Sequence, residues 1–275
     1  MIDVYPTQCE LNAITEAATA ACDALDGATD GVISAPGLCH FDPHEIIGQT
    51  FLCSTTGEQI QISEAAATIA LATWNGPSTV DGKFEWFGLN QDAPLSRISN
   101  TNCSTGTCVG APFEIASDWI RLFVVKDPDF NLLNLTHREY DIIFRQSVNQ
   151  YGSVIGTDDP DLTDFRDAGG KMLTWHGLAD NLIPPNGTYQ YYERVLAGDP
   201  NAGDYYRFFP APGVTHCGGG VGWYPGDVFQ SLVDWVEKGV VPDTLAAKSL
   251  PDANGTVREA SLCPYPQQMC TREEI

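Results

Sequence analysis

Two residues in this sequence have the types and the order needed to move a proton on and off a reacting hydroxyl. His216 stands in PGVTHCGGG, a Gly-rich stretch from Pro212 to Gly220. An imidazole is poised near neutral pH for general base and general acid work. Asp180 precedes it, in WHGLADNLIPP from Trp175 to Pro185. A carboxylate on such a loop can accept an imidazole N–H and hold the tautomer of a catalytic base. Each residue also has a plainer use: Asp180 as a turn or helix-capping residue, His216 as a loop histidine, and His176 as a packed strand-end side chain.

A second constellation lies between Cys22 and Cys39, in CDALDGATDGVISAPGLC. Asp23, Asp26 and Asp30 follow one another at short steps, and Gly27 and Gly31 permit tight turns between them. A folded loop could point three carboxylates inward with backbone carbonyls between them, and hard oxygen donors of that kind suit Ca²⁺. The spacing is not that of an EF-hand. The same residues could equally build a connection rich in Asx-turns.

A hydrolytic relay also needs a nucleophile, and none is recognisable. The chain holds no G-x-S-x-G elbow. Ser54 and Ser104 each stand beside a cysteine, but neither lies between a strand and a helix, and Ser104 belongs to a glycosylation sequon. Cys217, next to His216, could attack as a thiolate, although a disulfide is the favoured fate in an oxidising compartment. His40 and His44 have i, i+4 spacing, yet Pro43 breaks the helix that would align them. His137 reads as solvent-facing at a polar helix start.

The elements that must position these groups fall into two styles. Glu10–Ala21 and Ile62–Thr73 read as helices, the second with Ser63 as N-cap. From Asn75 to Pro112 the chain reads as irregular loops and short hairpins, with the aromatics Trp74 just before them and Phe84, Trp86 and Phe87 among them. Asp118–Val125 and Arg138–Val148 are further helical segments. Beyond Thr157 the pattern alternates: a short helix within Asp161–Gly170, a strand Lys171–Trp175, a helix Asn186–Leu196, a strand Tyr205–Phe209 and a helix Asp227–Lys238. That alternation is the α/β pattern, and it places Asp180 and His216 just beyond successive strands, where ligands and catalytic groups gather in open sheets. The order acid then histidine is also that of α/β-hydrolases, in which the nucleophile comes first. Two good strands are few for a doubly wound sheet.

Composition narrows the partners and the compartment. The 275 residues carry 14 Lys+Arg against 36 Asp+Glu, a formal net charge of -22. No basic footprint exists for nucleic acid, and adhesion to an anionic membrane is disfavoured. The longest near-apolar stretch, Ala65 to Trp74, is far short of the ~20 residues of a membrane span. The 9 cysteines and the sequons at Asn102, Asn134, Asn186 and Asn254 point to an oxidising, secretory, extracellular compartment and a glycoprotein. The N-terminus has no signal-peptide pattern, and an odd cysteine count leaves at least one thiol free or paired outside the chain.

Three segments in this order, CDALDGATDGVIS, GGKMLTWHGLADNLIPP and PGVTHCGGG, resemble the tannase and feruloyl esterase family. The resemblance runs from about Cys9 to the tail. It implies a secreted serine esterase with an α/β-hydrolase domain and an inserted, mixed α+β lid domain that carries structural calcium. Residues 1–157 would be the lid with the calcium loop, and 158–275 the C-terminal portion of the hydrolase domain. It further implies Ca²⁺ on the side chains of Asp23, Asp26 and Asp30 and the backbone carbonyls of Ala28 and Val32. Cys22 and Cys39 match the pair that closes the loop, Asp180 the relay acid and His216 the relay base. Cys217 matches a cysteine bridged to the residue before the nucleophilic serine, and Cys263 and Cys270 match a C-terminal pair. The pairing of Cys9, Cys53, Cys103 and Cys108 stays open.

One part of the family pattern has no counterpart. The G-C-S-x-G-G nucleophile segment should lie several tens of residues before the calcium loop, where only 22 residues precede Asp23. The N-terminal part of the hydrolase sheet is therefore expected to be missing, together with the serine, and Cys217 to be linked to it. The expected substrate is a phenolic ester. WFGLN at Trp86–Asn90 leans towards hydroxycinnamate rather than galloyl esters, as does the lack of a dibasic pair; the lid aromatics Trp74, Trp86 and Phe87 could stack on the phenol or simply fill the lid core. A tannase, or a calcium-binding fragment without activity, are the other readings.

Overall fold

The computed structural model describes residues 4–104 and 106–267. The chain forms two compact units. The first comprises Met1–Ala17, Asp42–Leu89 and Pro94–Asp158; the second comprises Ala18–Phe41, Asn90–Ala93 and Asp159–Ile275. The units are therefore not the consecutive segments 1–157 and 158–275. The acidic loop expected within the first segment groups with the C-terminal unit, as does the short piece Asn90–Ala93. The chain is mixed helix and strand, and among the described residues no helix is long and apolar enough to cross a membrane.

The first unit is mainly helical. Helix α1 runs Gln8–Cys22, its last turns passing into the second unit. A short hairpin pairs β1 (Thr50–Leu52) with β2 (Gln59–Gln61) and leads to α2 (Glu64–Asn75). Ser63 caps α2, its side chain accepting from the Ala66 N–H, and Ala65, Ala66, Ala67 and Ala70 are buried. Glu10 accepts from the backbone N–H of Thr7 at 2.7 Å and of Ser63 at 3.2 Å, so one carboxylate ties the starts of α1 and α2. A second hairpin, β3 (Thr101–Asn102) and β4 (Val109–Gly110), lies in the expected irregular stretch. The cysteines whose pairing stayed open join here as Cys9–Cys53 and Cys103–Cys108.

The expected helix at Asp118–Val125 takes a different form. A short α3 (Glu114–Asp118) continues as a π-helical turn over Trp119–Val125. The wider turn stacks Trp119 on Phe123, ring centroids 5.0 Å apart, and lets the indole N–H donate to Ser147 Oγ at 2.8 Å. Ser147 belongs to α4 (His137–Ile155), which opens on a Thr136/Glu139 capping box and outruns its expected end by several residues.

The second unit is built on one parallel strand pair. After α5 (Thr163–Asp167) come β5 (Met172–Gly177), α6 (Pro185–Gly198) and β6 (Tyr206–Ala211). β5 and β6 run parallel, with Trp175 opposite Phe209 and Gly177 opposite Ala211. Alternate residues of β6 point to opposite faces. Tyr206 and Phe208 join Tyr192, Val195, Ala202 and Tyr205 in one cluster. Phe209 and Ala211 join Val32, Val214, Trp223, Leu245 and Leu262 in the other. A strand buried on both faces is typical of a parallel sheet and reads as a continuous apolar run, as YRFFPA nearly does. A three-stranded antiparallel sheet, β7 (Trp223–Pro225), β8 (Leu245–Ser249) and β9 (Glu259–Leu262), covers the second cluster, and α7 (Val228–Lys238) lies between β7 and β8. Those strands escape the sequence reading because they are short and flanked by Gly and Pro. The expected Cys263–Cys270 pair has one member, Cys270, outside the described residues.

Phe208 is fully buried and meets Tyr189 edge-on at 5.0 Å. Phe208→Ala should lower stability by about 3–5 kcal/mol, measured by denaturant melts; a loss below about 1 kcal/mol would remove this strand from the core.

Candidate active site

The parallel register of β5 and β6 sets their C-terminal ends side by side, and the two loops that leave those ends are stapled together. Leu178 N–H donates to Ala211 O at 2.8 Å, and Ala179 N–H donates to Val214 O at 3.1 Å. The approach is close enough to need glycine: a Cβ on Gly177 would meet Val214 O at 2.2 Å. Asn90 adds a third staple, its side-chain N–H donating to Leu178 O at 2.8 Å. The loop after β6 turns back on itself, helped by Gly220 at φ 83°, where a Cβ would lie 2.1 Å from Gly213 O.

These staples bring the two sequence-assigned residues into contact. His216 Nδ1 lies 3.0 Å from Asp180 Oδ2 and donates its proton there. Asp180 is buried, whereas the His216 side chain is 36% exposed, so the imidazole remains reachable. The other oxygen of Asp180 accepts from the backbone N–H groups of Leu182 and Ile183, each at 2.9 Å. Burial by itself would raise this carboxyl, but the hydrogen bonds from His176, Ile183, Leu182 and His216 outweigh it and bring the pKa down from 3.8 to about 2. An ionised carboxylate hydrogen-bonded to an imidazole N–H is the pair a general base requires. On the far side of the ring, Cys217 Sγ stands 3.7 Å from His216 Nε2. Cys217 is exposed and is a free thiol.

His176, read from sequence as a strand-end side chain, also reaches Asp180: its Nε2 lies 3.2 Å from Oδ2. The signal that could have found it is its place four residues before the acid, at the last turn out of a strand. Ser54 and Ser104 are exposed, and both belong to the first unit. His44 pairs locally with Asp42 at 2.8 Å, and exposed His137 bonds Ser78 O at 2.7 Å. Trp74 is buried, while Trp86 is exposed and packs edge-on against Phe87 at 5.4 Å.

The acidic loop is closed by the Cys22–Cys39 disulfide. Asp23 Oδ1 accepts from the N–H groups of Asp30 and Gly31, Asp26 from those of Ala28 and Ser34, and Asp30 from that of Val32. The carboxylates thus knit the loop as Asx-turns do. Burial, together with repulsion from Asp23 and Asp26, raises the Asp30 carboxyl. The donor chemistry, carboxylates interleaved with the carbonyls of Ala28 and Val32, suits a hard cation. Among the described residues, however, no three His, Cys, Asp or Glu side chains converge closely enough to hold a metal ion by themselves. Arg258 ties the loop to the segment that follows Gly220 in the same unit, donating to Asp30 O at 3.1 Å and to Val221 O at 2.9 Å.

Comparison with known proteins places these residues in context. Residues 1–273 match the family described as tannase and feruloyl esterase. A probable feruloyl esterase of Arthroderma benhamiae is 39% identical over 270 residues, covering 96% of this chain and 50% of the relative. Feruloyl esterase C of Talaromyces stipitatus is 30% identical, covering 96% of this chain and 51% of its own length. Among solved structures, the tannin acyl hydrolase of Aspergillus niger superposes with a TM-score of 0.86 at 30% identity, over 98% of this chain and 53% of that one. Feruloyl esterase B of Aspergillus oryzae gives a TM-score of 0.77 at 26% identity, over 96% and 54%. The chain spans about half the length of the relatives it matches.

The low pKa of Asp180 gives a signed expectation. Its carboxylate adds stability that is complete above the ordinary value of 3.8 and disappears as pH falls through about 2. Asp180→Asn should therefore cost stability near neutral pH, and its deficit relative to the unsubstituted chain should shrink steadily as melts are repeated from about pH 4 to about pH 2. A deficit that stays constant across that window would contradict the assignment.

Proposed function

This chain belongs to the tannase and feruloyl esterase family, and from that premise we propose that it carries the acid and the base of a secreted carboxylic ester hydrolase of the feruloyl esterase type. The single observation that supports this most is the 3.0 Å bond from His216 Nδ1 to Asp180 Oδ2 at two adjacent strand ends. The nucleophilic serine would come from polypeptide outside this chain. His216 Nε2 would take the hydroxyl proton as the serine attacks the ester carbonyl. The alcohol would leave with that proton, and water, activated by the same nitrogen, would release the hydroxycinnamic acid. Asp180 would stay ionised throughout and stabilise the imidazolium. Cys217 would pair with a cysteine beside the serine. The Cys9–Cys53, Cys22–Cys39 and Cys103–Cys108 disulfides fit the oxidising compartment that a secreted enzyme occupies. The TM-score of 0.86 with the tannin acyl hydrolase favours a second reading, a galloyl ester substrate.

By itself the chain should release no acid from methyl ferulate or methyl gallate. A polypeptide that joins it to the serine-bearing segment should hydrolyse methyl ferulate faster than methyl gallate, and His216→Ala should cut kcat by at least ~10³-fold. The reverse order of rates would decide for the tannase reading. Turnover by the isolated chain that iodoacetamide abolishes at Cys217 would replace the serine by that thiol, and no turnover by the joined polypeptide would leave a calcium-binding fragment.

The proposal extends to Ca²⁺ in the Asp23–Val32 loop, held by Asp23, Asp26 and Asp30 with the carbonyls of Ala28 and Val32. The supporting observation is the loop's geometry: the Cys22–Cys39 disulfide closes it, and backbone N–H groups of Asp30, Gly31 and Ser34 bond the Asp23 and Asp26 carboxylates, holding the acidic residues close together. Free Ca²⁺ at a hundredfold excess over Kd should stabilise the fold by about 2.7 kcal/mol, an increment lost on chelation and absent in Asp26→Asn. An unchanged Tm in excess chelator, with no calcium by elemental analysis, would remove the metal.

A further inference from the structure

His176 touches the relay acid as closely as a catalytic base would, yet its ring is turned so that it cannot act as one. Its Nε2 faces two oxygens, Asp180 Oδ2 and Ile183 O, each at 3.2 Å. Both are acceptors only, so Nε2 must carry a proton. Its Nδ1 faces Thr188 Oγ1 at 2.8 Å, a hydroxyl able to donate. His176 is largely buried, its side chain only 13% exposed. Thr188 stands in the first turn of α6, which begins at Pro185, so helix and strand end together fix the ring.

We propose that His176 is a positioning residue for the His216–Asp180 pair, held neutral with its proton on Nε2 by the Thr188 hydroxyl. In that form it brings a donor to Asp180 without a second positive charge. Two imidazolium rings on one carboxylate would compete for the same negative charge, and His216 would lose the stabilisation it needs when it takes the serine proton. A neutral N–H avoids this. It also completes a cage of donors: Leu182 and Ile183 on Oδ1, His176 and His216 on Oδ2. With its oxygens so engaged, the carboxylate has one orientation, which aims Oδ2 at the base. Among the described residues, the other titratable group in contact with this set is Cys217, on the opposite side of His216.

The catalytic value of this device rests on the esterase reading, but its test does not. In the chain as it stands, with 15N-labelled histidine, long-range 1H–15N correlations should show His176 as the Nε2–H tautomer, and the His216 Nδ1–H proton should appear as a downfield, slowly exchanging resonance. His176→Leu should abolish the His216 resonance with the melting curve retained, and His176→Gln, which keeps a side-chain N–H near the Nε2 position, should restore it. Should the leucine variant not fold, Thr188→Val carries the test: Nε2 should keep its proton, while the 15N resonance of His176 Nδ1 should move to that of a ring nitrogen that accepts no hydrogen bond. An undiminished His216 resonance in His176→Leu, a His176 ring protonated on Nδ1 in the unsubstituted chain, or an unchanged His176 Nδ1 resonance in Thr188→Val would overturn the proposal. In a serine-bearing polypeptide the same leucine variant should lower kcat by ~10-fold or more with KM nearly unchanged, the split expected when orientation and not binding is lost.

Discussion

One buried carboxylate organises the second unit's functional end. Asp180 accepts two backbone N–H groups on one oxygen and two imidazole N–H groups on the other. A charge taken out of water is tolerable only when it is hydrogen-bonded on every side. The loop from Leu178 to Ile183 is therefore shaped around the carboxylate, because its own N–H groups supply half of the solvation that water would have given. The strand ends, the close approach at Gly177 and the α6 start that fixes Thr188 all follow from bringing four donors to one point. The same arrangement leaves the proton-accepting side of His216 outside the cage.

The acidic loop and the histidine loop are mechanically one body. Val32, at the end of the Asp23–Val32 loop, sits in the apolar cluster that also holds Phe209, Ala211, Val214 and Trp223. Gly213 lacks a side chain where a Cβ would press on Val32 at 3.0 Å. Arg258 spans the two loops with bonds to Asp30 O and Val221 O, and its guanidinium lies 5.1 Å from the Trp223 ring. A cation held by the proposed ligands would stiffen the wall against which the His216 loop packs. It would act on catalysis by reducing the loop's freedom, without any contact with the reacting atoms.

Legibility in the sequence followed the range of the interactions. Helices with local signals were read well: Ser63 is the N-cap of its helix, and the β5–α6–β6 unit lies within two residues of the expected bounds. The structure brings Asp180 and His216 into contact, as their places after two adjacent parallel strands imply. What could not be read depended on contacts distant in sequence. The grouping of Ala18–Phe41 with residues beyond Asp159 is carried by apolar packing on Val32 and by Arg258, neither of which has a local pattern. The π-helical turn at Trp119–Val125 depends on the ring stacking of Trp119 with Phe123 and on a distant Ser147. The role proposed for His176 depends on Thr188, twelve residues further on in the first turn of α6; its place four residues before Asp180 hints at the contact but not at the tautomer.

The backbone at Cys217 bears on how the proposed relay would be completed. Gly219 and Gly220 adopt positive φ without strain, yet Cys217 also has a φ of 53°. A side-chain-bearing residue in that region costs roughly 1–3 kcal/mol and persists only where the surroundings enforce it. Here the strained residue directs a thiol to within 3.7 Å of His216 Nε2, on the face opposite the Asp180 bond. Left free, that thiol would compete with any incoming hydroxyl for the imidazole. Consumed in a disulfide, it would stop competing and would instead tether the polypeptide bearing the other sulfur. Because the Cβ atoms of a disulfide lie only ~3.8 Å apart, a serine next to the partner cysteine would be held within a few ångströms of Nε2 before any substrate arrived. The strain at Cys217 is then the local penalty for a placement that a flexible glycine loop could not enforce.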